Sequence, residues 1–167
     1  MKGLKLIAFA GFIMLTTLAS AQQGKIAYVN SQDLLEAMPE AKVAQTQLAA
    51  MAGQLDSIYK KYISEYQMLI QKIQNPLITE IEKDAIGQDL SYLEQRIQQY
   101  EQDSQSKLDA KKAELFQPII DKATAVVKEV AKEAGYAYVI DNSLGVLIMA
   151  PDGDNILPLV KKKMNIQ

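Results

Sequence analysis

The side chains that most often carry out catalysis or bind metals are scarce in this sequence. It contains no histidine and no cysteine, so it lacks thiol nucleophiles, imidazole acid–base groups and the commonest transition-metal ligands. Paired carboxylates are a remaining option, as in glycoside hydrolysis, but Glu80, Glu82 and Asp84 lie beside a predicted exposed turn. Asp141 and Asp152–Asp154 have the spacing of turn and capping residues. The sequence therefore predicts a binding protein that is not an enzyme and has no cofactor and no metal.

The net charge of the chain argues against nucleic acid as a binding partner. Removing Lys2 and Lys5 with a predicted leader lowers the basic residues from 18 to 16 against 20 acidic ones, a net charge of −4. Binding to phosphates requires a dense basic face, and the sequence has none. Its one basic run, residues 161–163, fits the last turn of a C-terminal helix, where cations offset the helix dipole. A lipid-headgroup site at this run is the alternative.

Residues 1–21 have the pattern of a secretory signal peptide. Two lysines precede an apolar run from Leu6 to Leu18, and Ala19-Ser20-Ala21 supplies small residues for cleavage after Ala21. An uncleaved membrane anchor is the alternative, but the run is short for a membrane span. The pattern predicts an exported, soluble product, and the absence of cysteine excludes a lipidated cysteine and disulfides.

Residues 39–116 are predicted to form a long helical hairpin, the arm, with its tip near 75–79. Both limbs carry residues at alternating steps of four and three, apart from the last step of the second limb, and this spacing is the seam of a coiled coil. In the first limb the seam is Leu48, Ala52, Leu55, Tyr59, Tyr62, Tyr66, Leu69 and Ile73; in the second it is Ile86, Leu90, Leu93, Ile97, Tyr100, Ser104 and Leu108. Asn75, Pro76 and Thr79 separate the limbs, because proline stops a helix and the other two are capping residues.

The two seams fit one antiparallel register. Folding the chain back at Pro76 pairs Leu69 with Ile86 and then every later seam residue in order, ending with Leu48 opposite Leu108. Each limb of about 35 residues reaches roughly 50 Å at 1.5 Å per residue. Two helices of a compact bundle are the alternative to an arm that projects into solvent.

Several apolar residues of the arm lie off the seam, namely Ile58, Ile63, Met68, Ile70 and Tyr92. Ile63 and Ile70 are one heptad apart and share a flank. These residues either widen the seam or form scattered contact points for a partner without a fixed shape. The remaining surface of the arm is rich in glutamine and charge, which keeps a long hairpin soluble.

Residues 22–38 and 117–167 are predicted to form a small body. Residues 25–30 read as a strand, Ser31 as the cap of a short helix over 32–37, and Pro39 as the first turn of the arm. A kink is expected at Pro118, a helix end at Gly135, a hairpin of strands 136–141 and 146–150, and a final helix over 156–164. So small a body buries little apolar surface alone, which predicts an oligomer.

The order and wording of these segments resemble the Skp/OmpH family of periplasmic chaperones, with segments closest to the Bacteroidetes type. The resemblance rests on residues 25–31, the long hairpin, residues 135–141, the 146–148 segment and a C-terminal helix opened near Asp154. It implies an α+β, mostly α fold with a β-containing trimerisation body and a coiled-coil arm. The trimer strands would carry Ile26, Tyr28, Val139, Ile140, Val146 and Ile148.

The resemblance also implies the function of an ATP-independent holdase in the periplasm. A homotrimer would hold unfolded outer-membrane β-barrel proteins between its arms and keep them from aggregating. The best-known members are strongly basic, whereas this chain is slightly acidic, so lipopolysaccharide or anionic-lipid binding does not follow from the resemblance. The alternative function is an extracytoplasmic adaptor that docks through the arm tip at Leu77 and Ile78.

Overall fold

A computed structural model describes residues 24–166, which form a small body and one long helical hairpin. The elements in chain order are β1 (Lys25–Val29), α1 (Ser31–Ala37), α2 (Pro39–Ile73), α3 (Glu80–Glu133), β2 (Tyr136–Asp141), a 3₁₀ turn (Asp152–Asp154) and α4 (Leu157–Lys163). Helices α2 and α3 pack against each other as the two limbs of an antiparallel hairpin. The predicted mostly α fold with a hairpin is confirmed, whereas the predicted signal peptide lies outside the described residues.

The two pieces of the body meet in a two-stranded parallel sheet. Strand β1 pairs with β2 in a register that places Ile26 beside Tyr138 and Tyr28 beside Ile140. The other edge of β1 makes a single bridge to Asn155, and the Ile156 amide donates to the Tyr28 carbonyl at 3.0 Å. Strand β1 is therefore central, and it ties the N-terminal piece to two separate parts of the C-terminal piece.

The prediction of a second hairpin strand at residues 146–150 is wrong. These residues, including Val146 and Ile148, form no strand and do not pair with β2. The predicted turn is present, with the Gly145 amide donating to the Asn142 carbonyl at 3.0 Å. The chain then turns away from β2, because the Asn142 side chain accepts the Leu147 amide at 2.9 Å. The Asn142 amide itself donates to the Val29 carbonyl at 2.8 Å, so the end of β2 is bound to β1 instead.

The core of the body lies between the inner face of the sheet and the helices. Its fully buried side chains include Leu34 and Met38 from the first piece, and Ile156 and Val160 from the last. Small residues of α2 and α3, such as Ala41 and Ala123, bring the bases of the two arm helices close to this core. Each large side chain buried this way stabilises the fold by roughly 1.5–3 kcal/mol.

Local chemistry explains where the helices begin and end. The prediction that Ser31 caps α1 is wrong. The Asn30 side chain accepts the Gln32 and Asp33 amides at 3.0 and 3.2 Å, and the Ser31 hydroxyl makes its hydrogen bond to a distant part of the chain. Pro39 opens α2 as predicted, since its missing amide would have no partner in a first turn. Gly135 follows α3 with φ +76°, a left-handed conformation that glycine adopts without strain.

Helix α3 runs through the predicted junction between arm and body. It continues past residue 116 and contains Pro118 in its interior, so the proline costs one backbone hydrogen bond without ending the helix. The exposed position of Pro118 leaves the freed carbonyl of Glu114 open to water. The kink expected at this residue stays a prediction.

The arm tip is closed by a complete capping box at the start of α3. The Thr79 hydroxyl accepts the Glu82 amide at 3.3 Å, and the Glu82 carboxylate accepts the Thr79 amide at 2.8 Å. We expect Thr79→Ala to lower the free energy of unfolding by about 1 kcal/mol, because the Glu82 amide loses its acceptor and the Glu82 carboxylate loses the Thr79 hydroxyl. Denaturant unfolding measures the loss. Thr79→Ser keeps the hydroxyl and should match the wild type; an unchanged Thr79→Ala variant would contradict the cap's contribution.

Candidate functional site: apolar surfaces of the arm and the body

The seam residues of the two limbs face each other along the arm. Ile86 and Leu93 are buried. The other thirteen named seam residues are half-buried: Leu48, Ala52, Leu55, Tyr59, Tyr62, Tyr66, Leu69, Ile73, Leu90, Ile97, Tyr100, Ser104 and Leu108. The Tyr62 and Tyr100 rings meet edge-to-face at 5.3 Å between centroids, and the Tyr100 hydroxyl donates to the Leu55 carbonyl at 3.1 Å. The last contact joins two residues that the sequence register pairs.

One flank of the arm, which we call the tyrosine–arginine edge, carries Ile58, Glu65 and Met68 of α2 and Tyr92 and Arg96 of α3. Residues three, four or seven apart share a side of a helix, and Arg96 joins the two sides. Its guanidinium lies 4.9 Å from the Tyr62 ring centroid and 5.7 Å from that of Tyr92, and it donates to the Tyr62 hydroxyl at 3.2 Å. That hydrogen bond, with help from nearby Glu65, raises the pKa of Arg96.

The opposite flank, the glutamate edge, carries Ile63 and Ile70 of α2 and Glu94 and Glu101 of α3. Tyr66 donates its hydroxyl to Glu94 at 2.8 Å, and this bond raises the Tyr66 pKa. The neighbouring Glu101 carboxylate raises the pKa of Tyr59 in the same way. Both isoleucines are half-buried. The five off-seam candidates therefore lie on two edges that differ in chemistry and in exposure. Ile58, Met68 and Tyr92, on the tyrosine–arginine edge, are exposed.

The tip exposes more apolar surface than the sequence analysis named. Leu77 is 88% exposed and Ile81 is 82% exposed, whereas Ile78 is half-buried. Two of the three carboxylates considered for acid–base chemistry have structural partners here: Glu82 completes the capping box and Glu80 accepts from Lys83 at 2.6 Å. Hydrogen bonds from the Thr79 backbone and hydroxyl hold the pKa of Glu82 below its usual value. Sequence reasoning missed Ile81 because a helix-periodic position beside a cap carries no signal of exposure.

The body contains an open groove of about 1100 Å³ between the sheet and the helices α1 and α3. Apolar side chains such as Leu35, Val127 and Val139 line it, and Lys25, Lys128 and Lys132 contribute basic groups to its lining. The outer face of the sheet is also apolar, because Ile26 and Tyr138 are exposed while Tyr28 and Ile140 are half-buried. Sheets with apolar residues on both faces are ordinarily covered on both.

The segment Leu144–Met149 adds a second uncovered apolar surface to the body. Four of its six residues are exposed large apolar side chains: Leu144, Val146, Ile148 and Met149. Contiguous apolar surface of this kind usually marks an interaction site. Of the six residues named for the trimer strands, Ile26, Val146 and Ile148 are exposed and Tyr28, Val139 and Ile140 are half-buried.

Asp141 fastens the end of β2 to the start of α1. Its carboxylate accepts the Ser31 hydroxyl at 2.6 Å, the Ser31 amide at 3.2 Å and the Ser143 amide at 2.9 Å. Partial burial alone would raise its pKa, but the hydrogen bonds from Ser31 and Ser143 together outweigh burial and hold the pKa below 3.8. The carboxylate therefore has a structural role, as the sequence analysis expected for a turn residue.

The depressed pKa predicts that Asp141 stabilises the fold less in acid. The unfolded state, with the higher pKa, takes up protons first as the pH falls, so the contribution declines below about pH 5 and is gone below the folded pKa. Asp141→Asn should therefore lower stability at pH 7 and flatten the loss between pH 5 and 3. Urea midpoints at several pH values measure this. A variant with the wild-type slope would show that other carboxylates dominate.

Of the three lysines in the basic run, Lys163 has carboxylate partners. Lys161, Lys162 and Lys163 occupy the last turn of α4 as predicted, and Lys163 pairs with Glu129 at 2.8 Å and Glu133 at 2.7 Å. Within residues 24–166, no group of three or more acidic, histidine or cysteine side chains is placed to hold a metal ion. In the same part of the chain, none of the helices has the length and apolar character that a membrane crossing needs.

Comparisons with known proteins agree on one family. The family model described as outer membrane protein (OmpH-like) matches residues 25–164. The fold is similar to the crystal structure of a protein from Caulobacter crescentus CB15 that is assigned as an OmpH-like outer membrane chaperone, with a TM-score of 0.67, 10% identity, and coverage of 85% of this chain and 84% of that one. A comparison with curated proteins finds no match. The resemblance stated from the sequence is confirmed, and the chain belongs to the OmpH-like family.

Proposed function

We propose that this protein is an ATP-independent periplasmic holdase that binds unfolded outer-membrane proteins between the arms of a homotrimer. The observation that carries the proposal is a helical hairpin arm of roughly 50 Å that keeps Ile58, Met68 and Tyr92 exposed along its length. Family membership and the fold shared with an assigned outer membrane chaperone support it. Export by the predicted signal peptide at 1–21 would place the protein in the periplasm.

Uncovered apolar surface supports assembly into a trimer. The outer sheet face around Ile26 and Tyr138, the body groove and the segment Leu144–Met149 each lack a covering element within residues 24–166. Uncovered apolar surfaces of this kind usually mark protein–protein contacts. In the proposed trimer, Val146 and Ile148 of each copy enter the interface with the next copy, so that the bodies form one shared core and the three arms surround a common space.

Distributed weak contacts explain how such an assembly holds a client without ATP. Each exposed apolar side chain of an arm contributes little alone, but three tethered arms raise the effective concentration of contacts around one chain. A client that inserts and folds in the membrane removes its apolar segments from the arms. Release then follows from the folding free energy of the client, and no catalytic group takes part.

Aggregation of a client tests this function directly. An unfolded β-barrel protein diluted from urea should stay soluble with a molar excess of the mature chain, and light scattering of the chaperone alone should give the mass of three copies. The same client diluted with a non-binding protein of similar size is the control. A monomer that leaves client aggregation unchanged would refute the proposal.

The exposed tip favours a second candidate function, that of an adaptor docking onto an envelope partner. Leu77 and Ile81 are among the most exposed large apolar residues of the arm, and the rigid capping box beside them holds the tip in one shape. Changing both to serine should abolish function if the tip is the docking point. Under the holdase proposal the same change should be mild, because binding is spread along the arms.

A further inference from the structure

We propose that the client contacts the arm through the tyrosine–arginine edge, and that this edge recognises aromatic side chains of an extended segment. The inference rests on the proposed holdase function and adds which face of the arm binds and what it selects. It also assigns a part to Arg96, which positions Tyr92 for contact with the client.

The two edges differ first in accessibility. On the tyrosine–arginine edge, Met68 is 60% exposed and Tyr92 is 63% exposed. On the glutamate edge, Ile63 and Ile70 are half-buried because they pack toward the seam. Contacts with a client require side-chain surface that is exposed before the client binds. Of the two edges, only the tyrosine–arginine edge offers such surface.

The chemistry of the first edge fits aromatic partners. Arg96 lies near the Tyr92 ring at 5.7 Å from its centroid and is itself held by the Tyr62 hydroxyl. This cation–π contact restrains Tyr92 while most of its surface stays free for a second ring. Met68 adds a flexible thioether, which packs well against aromatic rings of varied geometry. Ile58 extends the same edge with an aliphatic contact.

Charge separates the edges further. Glu65 lies close enough to Arg96 to act on its ionisation, so the cation of the first edge has an anionic neighbour. The glutamate edge presents Glu94, which the Tyr66 hydroxyl binds, and Glu101, which lies near Tyr59, without an arginine among its four residues. A locally balanced edge accepts an uncharged aromatic segment without leaving an unpaired charge, whereas two carboxylates disfavour it.

The spacing also matches an extended chain. From Ile58 to Met68 the helix rises roughly 15 Å, which equals about five residues of a strand. Tyr92 lies near the level of Met68, because Arg96 meets Tyr62 and Glu94 meets Tyr66 across the arm. Side chains on one face of such a segment alternate, so one of them reaches Ile58 while another reaches Met68 and Tyr92. Strands of outer-membrane barrels alternate apolar side chains and carry aromatic residues near their ends, which is the partner chemistry this edge fits.

Binding of two matched peptides tests the inference with the full mature protein. One is a labelled peptide with tyrosine and phenylalanine at alternate positions, and the other has leucine at those positions. Fluorescence anisotropy should show tighter binding of the aromatic peptide. Tyr92→Ala should weaken it about threefold to tenfold and leave the leucine peptide nearly unchanged, whereas Tyr92→Phe should retain wild-type affinity.

The control variant is Ile63→Ala on the glutamate edge, which should bind both peptides like the wild type. Equal affinity of the wild type for the two peptides, or equal losses in Tyr92→Ala and Ile63→Ala, would overturn the inference. A parallel assay with the unfolded β-barrel client separates the two proposals. If the wild type fails to protect that client from aggregation, the holdase proposal is refuted. If the wild type and Tyr92→Ala protect the client equally well, only the assignment of binding to this edge is refuted.

Discussion

Ile148→Asp is expected to convert the assembly into monomers and to remove most of its protection of unfolded clients. Within the described chain the Ile148 side chain is fully exposed and belongs to a segment with three other exposed apolar residues. An aspartate there costs the isolated chain almost nothing, because no contact within residues 24–166 depends on Ile148. In the proposed interface the same carboxylate would be buried without a partner, which is strongly unfavourable.

The functional loss should exceed that of any change on the arm. Three arms joined by one body bind a client with an avidity that exceeds a single arm by about 10²–10⁴, and dissociation removes that gain at once. Sedimentation equilibrium would give the mass of the variant, and client aggregation would give the loss of protection. Circular dichroism should show an unchanged helix content, since the arm is formed within one chain.

Met68→Asp is the matched control for this prediction. It replaces another exposed apolar residue by the same acid, but on the arm and away from the body. Its mass should remain that of the trimer. An Ile148→Asp variant that keeps the wild-type mass would show that the segment Leu144–Met149 lies outside the interface. The interface between copies would then have to be formed by the groove or the outer sheet face.

The arm could be predicted from the sequence because its signal is local and repeats. Steps of four and three, set by Leu55, Tyr59 and Tyr62 and their neighbours, recur often enough to predict both helices and their pairing. Even Ser104 fitted the seam by spacing alone. Within residues 24–166 its hydroxyl is buried without a hydrogen-bond partner, so the pattern predicted the position of this residue correctly but not the quality of packing around it.

The body was predicted less well because its contacts are distant in sequence. Ser31 and Asp141 are 110 residues apart, and no local pattern indicates that Ser31 bonds Asp141 while Asn30 caps the helix. Residues 146–150 have the composition of a strand but find no partner strand within residues 24–166. The pairing of β1 with β2 in parallel likewise depends on the three helices between them, as parallel strands require a long connection.

The candidate binding edge could be found only in part. The sequence identified Met68 and Tyr92 as apolar residues off the seam, but it did not separate them from Ile63 and Ile70. Arg96 stands four residues after Tyr92, a spacing that indicates contact along one helix. Its contact with Tyr62 of the other limb needs the register and the side-chain geometry together, and this contact defines the edge.

Leu93→Ala is expected to lower the free energy of unfolding by about 2–5 kcal/mol, the range for removing a buried leucine side chain. Leu93 is 3% exposed, which makes it one of the most deeply buried residues of the arm. A two-helix arm has no third layer behind the seam, so the cavity is lined by few atoms and partial collapse is easy. We therefore expect a loss in the lower half of that range.

The location of the loss distinguishes this change from a general weakening. Hydrogen exchange should quicken in α2 and α3 around the seam, whereas amides of β1 and of α4, which belong to the body core, should keep their protection. Gln98→Ala, an exposed change on the same helix, should stay within about 0.5 kcal/mol of the wild type. If Leu93→Ala were as stable as Gln98→Ala, side-chain packing at the seam would not hold the two limbs together. The client would then have to be bound by two separated helices instead of a paired hairpin.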